Sequence, residues 1–128
     1  RQLLREWLLS LANCTGVPLS STILGGFSQG GAMTLDVGLT LPLGGLICLS
    51  GYLHSMSPAS DRDLPPVLIA HGTQDTVVPV SAAVRARDSF TAWGSSVQYQ
   101  EFNMGHEIRP EVVDLMRSFV VETVSKSD

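Results

Sequence analysis

Charge is sparse in this sequence. Charged residues make up 16% of its 128 residues against 44% hydrophobic ones, and the net charge is −4. With no basic cluster there is nothing to grip a phosphate backbone, which argues against a nucleic-acid partner. Cysteine is scarce too: Cys14 and Cys48 lack metal-ligand spacing, and Cys48 sits in an apolar run that reads as a buried free thiol rather than a ligand or half of a disulfide. No apolar run approaches the ~18–20 residues of a membrane-crossing helix. There is no internal repeat and no low-complexity segment, so solenoids and disorder are set aside. No signal peptide is visible. Arg1 already lies inside a helical pattern, so residues ahead of it are expected and a leader stays open. The length suits one domain, residues 1–128, with a real core but not two.

What is present alternates between two periods. Leu4, Trp7, Leu8 and Leu11 recur as one face of an amphipathic helix over residues 2–13, and Gly16 and Pro18 stop it. A strand is expected over residues 20–27, a helix over 29–39, and a strand at Leu46-Ile47-Cys48-Leu49. Residues 50–64 carry Gly51, Pro58 and several serines, a loop of about fifteen residues, and loops that long are usually functional or disordered. Pro66-Val67-Leu68-Ile69-Ala70 forms the third strand. Pro79 opens a helix that ends near Trp93-Gly94, residues 97–102 form a fourth strand, and Pro110 opens a last helix. Short unalternating strands between helices signify an α/β fold: a mostly parallel sheet of about four strands with helices on both faces.

Gly26-Phe27-Ser28-Gln29-Gly30 stands at the first strand-to-helix junction. By chance alone a G-x-S-x-G pattern occurs in roughly 3–4% of chains this long. Its bland reading is a Ser/Gly turn that caps a helix. In this context it also fits a nucleophile elbow, where a strained turn lifts the serine hydroxyl clear of the sheet. Glycines two before and two after are expected because side chains there would collide with strand or helix.

Ser28, Asp75 and His106 each follow the carboxyl end of a different expected strand, where parallel sheets gather their chemistry. A serine hydroxyl needs a base to take its proton, an imidazole titrates in the right range, and a carboxylate fixes its tautomer. The order Ser, Asp, His is that of the α/β-hydrolase triad. Each partner has an alternative. Asp75 could cap the helix near Pro79, and His106 could be a turn histidine. His71 rivals it as the base but reads as structural, bonding backbone to shape a loop, and His54 lies exposed in the long loop. The backbone N–H of Gln29 would serve the oxyanion, and Leu53 and Met56 would wall an acyl chain. Activity should then rise with pH as the imidazole loses its proton.

Four motifs, Gly26-Phe27-Ser28-Gln29-Gly30-Gly31, Leu49-Ser50-Gly51-Tyr52-Leu53, His71-Gly72-Thr73-Gln74-Asp75 with Val78-Pro79, and Met104-Gly105-His106-Glu107, resemble the phospholipase/carboxylesterase family, whose best-known members are acyl-protein thioesterases. The resemblance implies an α/β-hydrolase fold and hydrolysis of a small ester or acyl-chain substrate, a carboxylic ester, thioester or lysophospholipid. It implies Ser28 as nucleophile, Asp75 as acid and His106 as base, no metal or organic cofactor, a cytoplasmic setting and frequent dimers. The family pattern also has an N-terminal half whose His-Gly-rich loop supplies a second oxyanion donor, a segment these 128 residues lack. The domain is therefore expected to be truncated, and losing one donor costs about 10²–10³ in rate. Either the other half exists apart, as for a proteolytic C-terminal piece of a longer esterase, or another group substitutes, or activity is weak. A non-catalytic binding or assembly remnant is the rival. The strand at 20–27 would be bare on one side, and a homo-oligomer covering that edge is expected.

Overall fold

The structure, a computed structural model, describes residues 2–54 and 63–126. In chain order the elements are α1 (Gln2–Thr15), a single 3-10 turn (Leu19–Ser21), β1 (Ile23–Phe27), α2 (Gln29–Gly38), β2 (Gly45–Leu49), β3 (Val67–Gly72), α3 (Val80–Ala92), β4 (Val97–Phe102) and α4 (Pro110–Lys126). The four strands form one sheet in the order β1-β2-β3-β4, and every pair is parallel. This is the α/β architecture expected from the alternating pattern.

The unalternating apolar runs have no solvent face: β2 and β3 are buried at every position. Their side chains divide by parity, as a pleated strand requires. Leu46, Cys48, Val67 and Ile69 point into one core with Leu8 of α1, Leu35 and Val37 of α2, and Ala83, Ala86 and Phe90 of α3. Ile47, Leu49, Leu68 and Ala70 point into a second core closed by Val112 and Phe119 of α4. Three helices therefore cover one face and α4 the other. The parallel register aligns the carboxyl ends, with Phe27 opposite Leu49, Leu49 opposite Ala70, and Gly72 opposite Phe102. The chemistry-bearing turns all leave from that edge.

Some expectations shift. The strand expected from residue 20 begins at Ile23, because Pro18 and the following serines close a turn in which Ser21 N–H donates to Pro18 O (3.0 Å) and Thr22 N–H to Leu19 O (2.9 Å). The third strand runs on through His71 and Gly72, because pairing with β4 continues to Phe102. The apolar stripe of α1 is only partly used: Leu8 is buried and Leu4 packs beside it, while Trp7 stays 58% exposed and Leu11 38%. One expectation does not shift: among the described residues β1 pairs with β2 alone and stands at the sheet's edge, bare on its other side as expected for this chain. Of the long loop, residues 51–54 and 63–66 have no regular structure and residues 55–62 lie outside the described ones. No helix of the described residues is long and apolar enough to cross a membrane.

Candidate active site

Ser28 closes β1 and caps α2, and its backbone takes φ 57° and ψ −118°. A side chain at positive φ costs of the order of 1–3 kcal/mol, so the surroundings must hold it there. They do so from both sides. Ser28 N–H donates to Leu49 O (2.8 Å), extending the β1–β2 ladder by one bond, and Ser28 O accepts from Ala32 N–H (3.2 Å), closing the first turn of α2. A Cβ on Gly26 would overlap the carbonyl of Gly30 and lie 2.9 Å from Gly31 N. The second glycine of the pattern is different. A Cβ on Gly30 would meet nothing within 4 Å, so the expected collision there does not exist. Gly31 and Gly51 are tight as well: a Cβ on Gly51 would lie 2.7 Å from Cys48 Sγ and 3.1 Å from both Gly31 Cα and Ser28 O. Burial pushes the Cys48 thiol up to about 12, which leaves it an inert packing group.

Asp75 sits in the turn between β3 and α3 and uses both carboxylate oxygens. Oδ1 accepts the N–H groups of Val77 (2.9 Å) and Val78 (2.8 Å), and Oδ2 accepts His106 Nδ1–H (2.7 Å). The capping and the orienting alternatives are thus both realised, one on each oxygen, though the turn capped precedes α3, whose own cap is Pro79. Burial would raise the Asp75 carboxyl, but the Val78 N–H, the His106 side chain and the Val77 N–H outweigh it and hold it below the usual carboxylate value.

His106 lies in the turn after β4, with 17% of its side chain exposed. A carboxylate only accepts, so the imidazole proton is on Nδ1 and Nε2 is free to accept. Ser28 Oγ stands 3.0 Å from that Nε2. The Phe27 ring packs on the imidazole at 4.7 Å between centroids. The Asp and His turns are laced together. Thr73 N–H donates to Phe102 O (2.8 Å), Gln74 N–H to Met104 O (3.0 Å), and the Gln74 amide to Asn103 Oδ1. Gly72 is packed so closely under the carbonyls of Met104 and Gly105 that no side chain fits. Glu107 accepts Gly105 N–H (3.1 Å) and pairs with Arg109, which together hold its carboxyl below the usual value.

The site can therefore pass a proton from a serine hydroxyl to an oriented imidazole. Over residues 1–124 the chain matches the profile of the phospholipase/carboxylesterase family. The chain belongs to that family. It is 34% identical over 123 residues to acyl-protein thioesterase 1 of Neurospora crassa, an alignment covering 88% of this chain and 50% of the relative. It is also 34% identical over 116 residues to acyl-protein thioesterase 1 of Gibberella zeae, covering 83% of this chain and 49% of the relative. Among solved structures, esterase PE8 superposes with a TM-score of 0.84 at 33% identity, covering 95% of this chain and 59% of that one. The fold is that of the α/β-hydrolases. The chain spans about half the length of the relatives it matches.

In this phospholipase/carboxylesterase-family chain the remaining candidates divide between that site and the core. Gln29 is the first residue of α2, so its N–H belongs to the helix's unpaired first turn beside Ser28. Leu53 is 9% exposed and packs into the core shared by α1, α2 and α3. Met56 lies outside the described residues. The His54 imidazole is 46% exposed, but its Nδ1 is held 2.6 Å from Asp36 Oδ2 on α2. Among the described residues no cluster of three His, Cys, Asp or Glu side chains could hold a metal ion. Two contacts were not anticipated: Phe27 on His106, and His71 Nε2 at 3.5 Å from Asp75 Oδ2. The signal for the first was adjacency to Ser28. The second had only the four-residue spacing of His71 and Asp75.

Proposed function

We propose that the chain carries the catalytic centre of a serine hydrolase that cleaves carboxylic esters or thioesters. The observation that carries this reading is the continuous line Asp75 Oδ2, His106 Nδ1, His106 Nε2, Ser28 Oγ, with contacts of 2.7 and 3.0 Å. The thioesterase and esterase names of the relatives support the same chemistry. In the proposed cycle His106 Nε2 takes the hydroxyl proton as Ser28 Oγ attacks the acyl carbon. The imidazolium is stabilised by the Asp75 carboxylate, and the tetrahedral oxyanion takes a hydrogen bond from Gln29 N–H at the positive end of α2. His106 then protonates the departing alcohol or thiol, and water repeats the sequence to release the acid.

The test is intact-mass analysis after exposure to a fluorophosphonate probe, parent against Ser28→Ala. One adduct on the parent and none on the variant is expected. A folded parent that gains no adduct would overturn the reading in favour of a binding or assembly role.

A further inference from the structure

His71 is a fully buried imidazole that the cycle above does not use. It stands near the end of β3, and its Nε2 lies 2.7 Å from Val78 O. A carbonyl only accepts, so the proton of this ring is on Nε2. Its Nδ1 is buried and has no hydrogen-bond partner among the described residues, so the ring is held from one end only. The same Nε2 is 3.5 Å from Asp75 Oδ2, the oxygen that receives His106, a close approach while its hydrogen bond goes to Val78 O.

These contacts close a loop. Val78 donates its N–H to Asp75 Oδ1 and accepts the His71 proton on its carbonyl. Displacing the His71 ring frees that carbonyl, slackens the turn that supplies both donors to Oδ1, and removes the positive end of an N–H dipole from beside Oδ2. The strand behind His71 is rigid, since its neighbours Ala70 and Gly72 are both paired with β4. The ring therefore refers the carboxylate to the sheet, whereas the turn alone would refer it only to itself.

We infer that His71 is a positioning residue for Asp75, fixing through its Nε2–H the orientation in which Oδ2 meets His106. The inference rests on the triad reading for its consequence in rate, but not for its consequence in geometry. That difference gives two separable readouts in the full chain: the His106 titration midpoint followed by imidazole ¹⁵N–¹H NMR, and the fluorophosphonate labelling rate. Glu107 and Arg109 remain beside His106 in every variant, so their influence is constant.

In His71→Leu the Asp75 carboxylate stabilises the imidazolium less well. The His106 midpoint should fall by about 0.5–1 pH unit and labelling at neutral pH should slow about tenfold or more. His71→Gln, whose amide N–H reaches the same point as Nε2–H, should recover most of both. An unmoved midpoint in a folded His71→Leu overturns the inference, even if its melting temperature falls. A moved midpoint on a parent that never labels would sustain the inference and reject the hydrolase. Should His71→Leu not fold, His71→Asn, whose shorter amide does not reach Val78 O, takes its place: a lowered His106 midpoint there sustains the inference and an unmoved one overturns it. An Nδ1-protonated His71 ring in the parent, or a shifted midpoint in His71→Gln, also overturns it.

Discussion

The two glycines that flank Ser28 in the G-x-S-x-G pattern should behave oppositely. A methyl on Gly26 would be driven into the backbone of Gly30 and Gly31, where no side chain can rotate away. Relief requires the end of β1 and the first turn of α2 to part, and Ser28 is the residue between them. Over-packing of this kind costs about 1–3 kcal/mol, and a displacement near 1 Å at a reacting group costs about 10²-fold in rate. Gly26→Ala should therefore lose about two orders of magnitude in fluorophosphonate labelling and melt several degrees lower. A methyl on Gly30 meets nothing within 4 Å, and Gly30 lies within α2 without a positive φ. Replacing a helical glycine by alanine contributes about 0.5–1 kcal/mol, so Gly30→Ala should label at near the parental rate and melt about 2–5 °C higher. Labelling kinetics and thermal melts on the two variants check both halves. Equal damage from both, or a parental rate in Gly26→Ala, would refute the argument from close approach.

Two further outcomes follow from the buried groups. The Asp75 carboxyl is held below its usual value, so its contribution to stability is fully present above its unfolded pKa of about 4, shrinks as pH falls through the depressed native value, and is absent below it. Urea melts over pH 2–7 should show the parent's advantage over Asp75→Asn disappearing in that acid window, while labelling of Asp75→Asn at neutral pH drops by about 10³–10⁴ because the amide no longer enforces the Nδ1–H tautomer. For the thiols, Cys14 is exposed and Cys48 is buried with its thiol pushed to about 12, so iodoacetamide at pH 8 should modify one cysteine in the native protein and the second only after denaturation.

The sheet was legible because β2 and β3 spell out burial on both faces residue by residue, and nothing but a covered parallel sheet accommodates runs such as Val67 to Ala70. That Ser28, Asp75 and His106 sit in turns at one edge of such a sheet was legible for the same reason, while the 2.7 and 3.0 Å contacts that link them depend on the path of each turn. What stayed hidden depends on distances between atoms rather than on residue type. Gly26 and Gly30 look equivalent in the pattern, and only the path of the chain separates a blocked position from an open one. Leu53 is apolar and follows β2, which suited a substrate wall as well as the core it occupies. The turn at Leu19–Ser21 went unrecognised because Pro18 and its serines favoured local hydrogen bonds over the strand pattern. His71 and His106 differ in which atoms face Asp75, and spacing does not encode that.

The strands lie side by side in the order in which they are made, β1 to β4. Each strand–helix unit can therefore dock onto the one before it as the chain lengthens, with mostly near-neighbour contacts to form first. Ser28 comes with the first strand, Asp75 follows the third and His106 the last. A growing or partly folded chain would present its serine early but leave it without a base until β4 has been added. On the proposed serine-hydrolase reading, the docking of β4 would be the event that switches the serine on, and covalent labelling of Ser28 during refolding would time it.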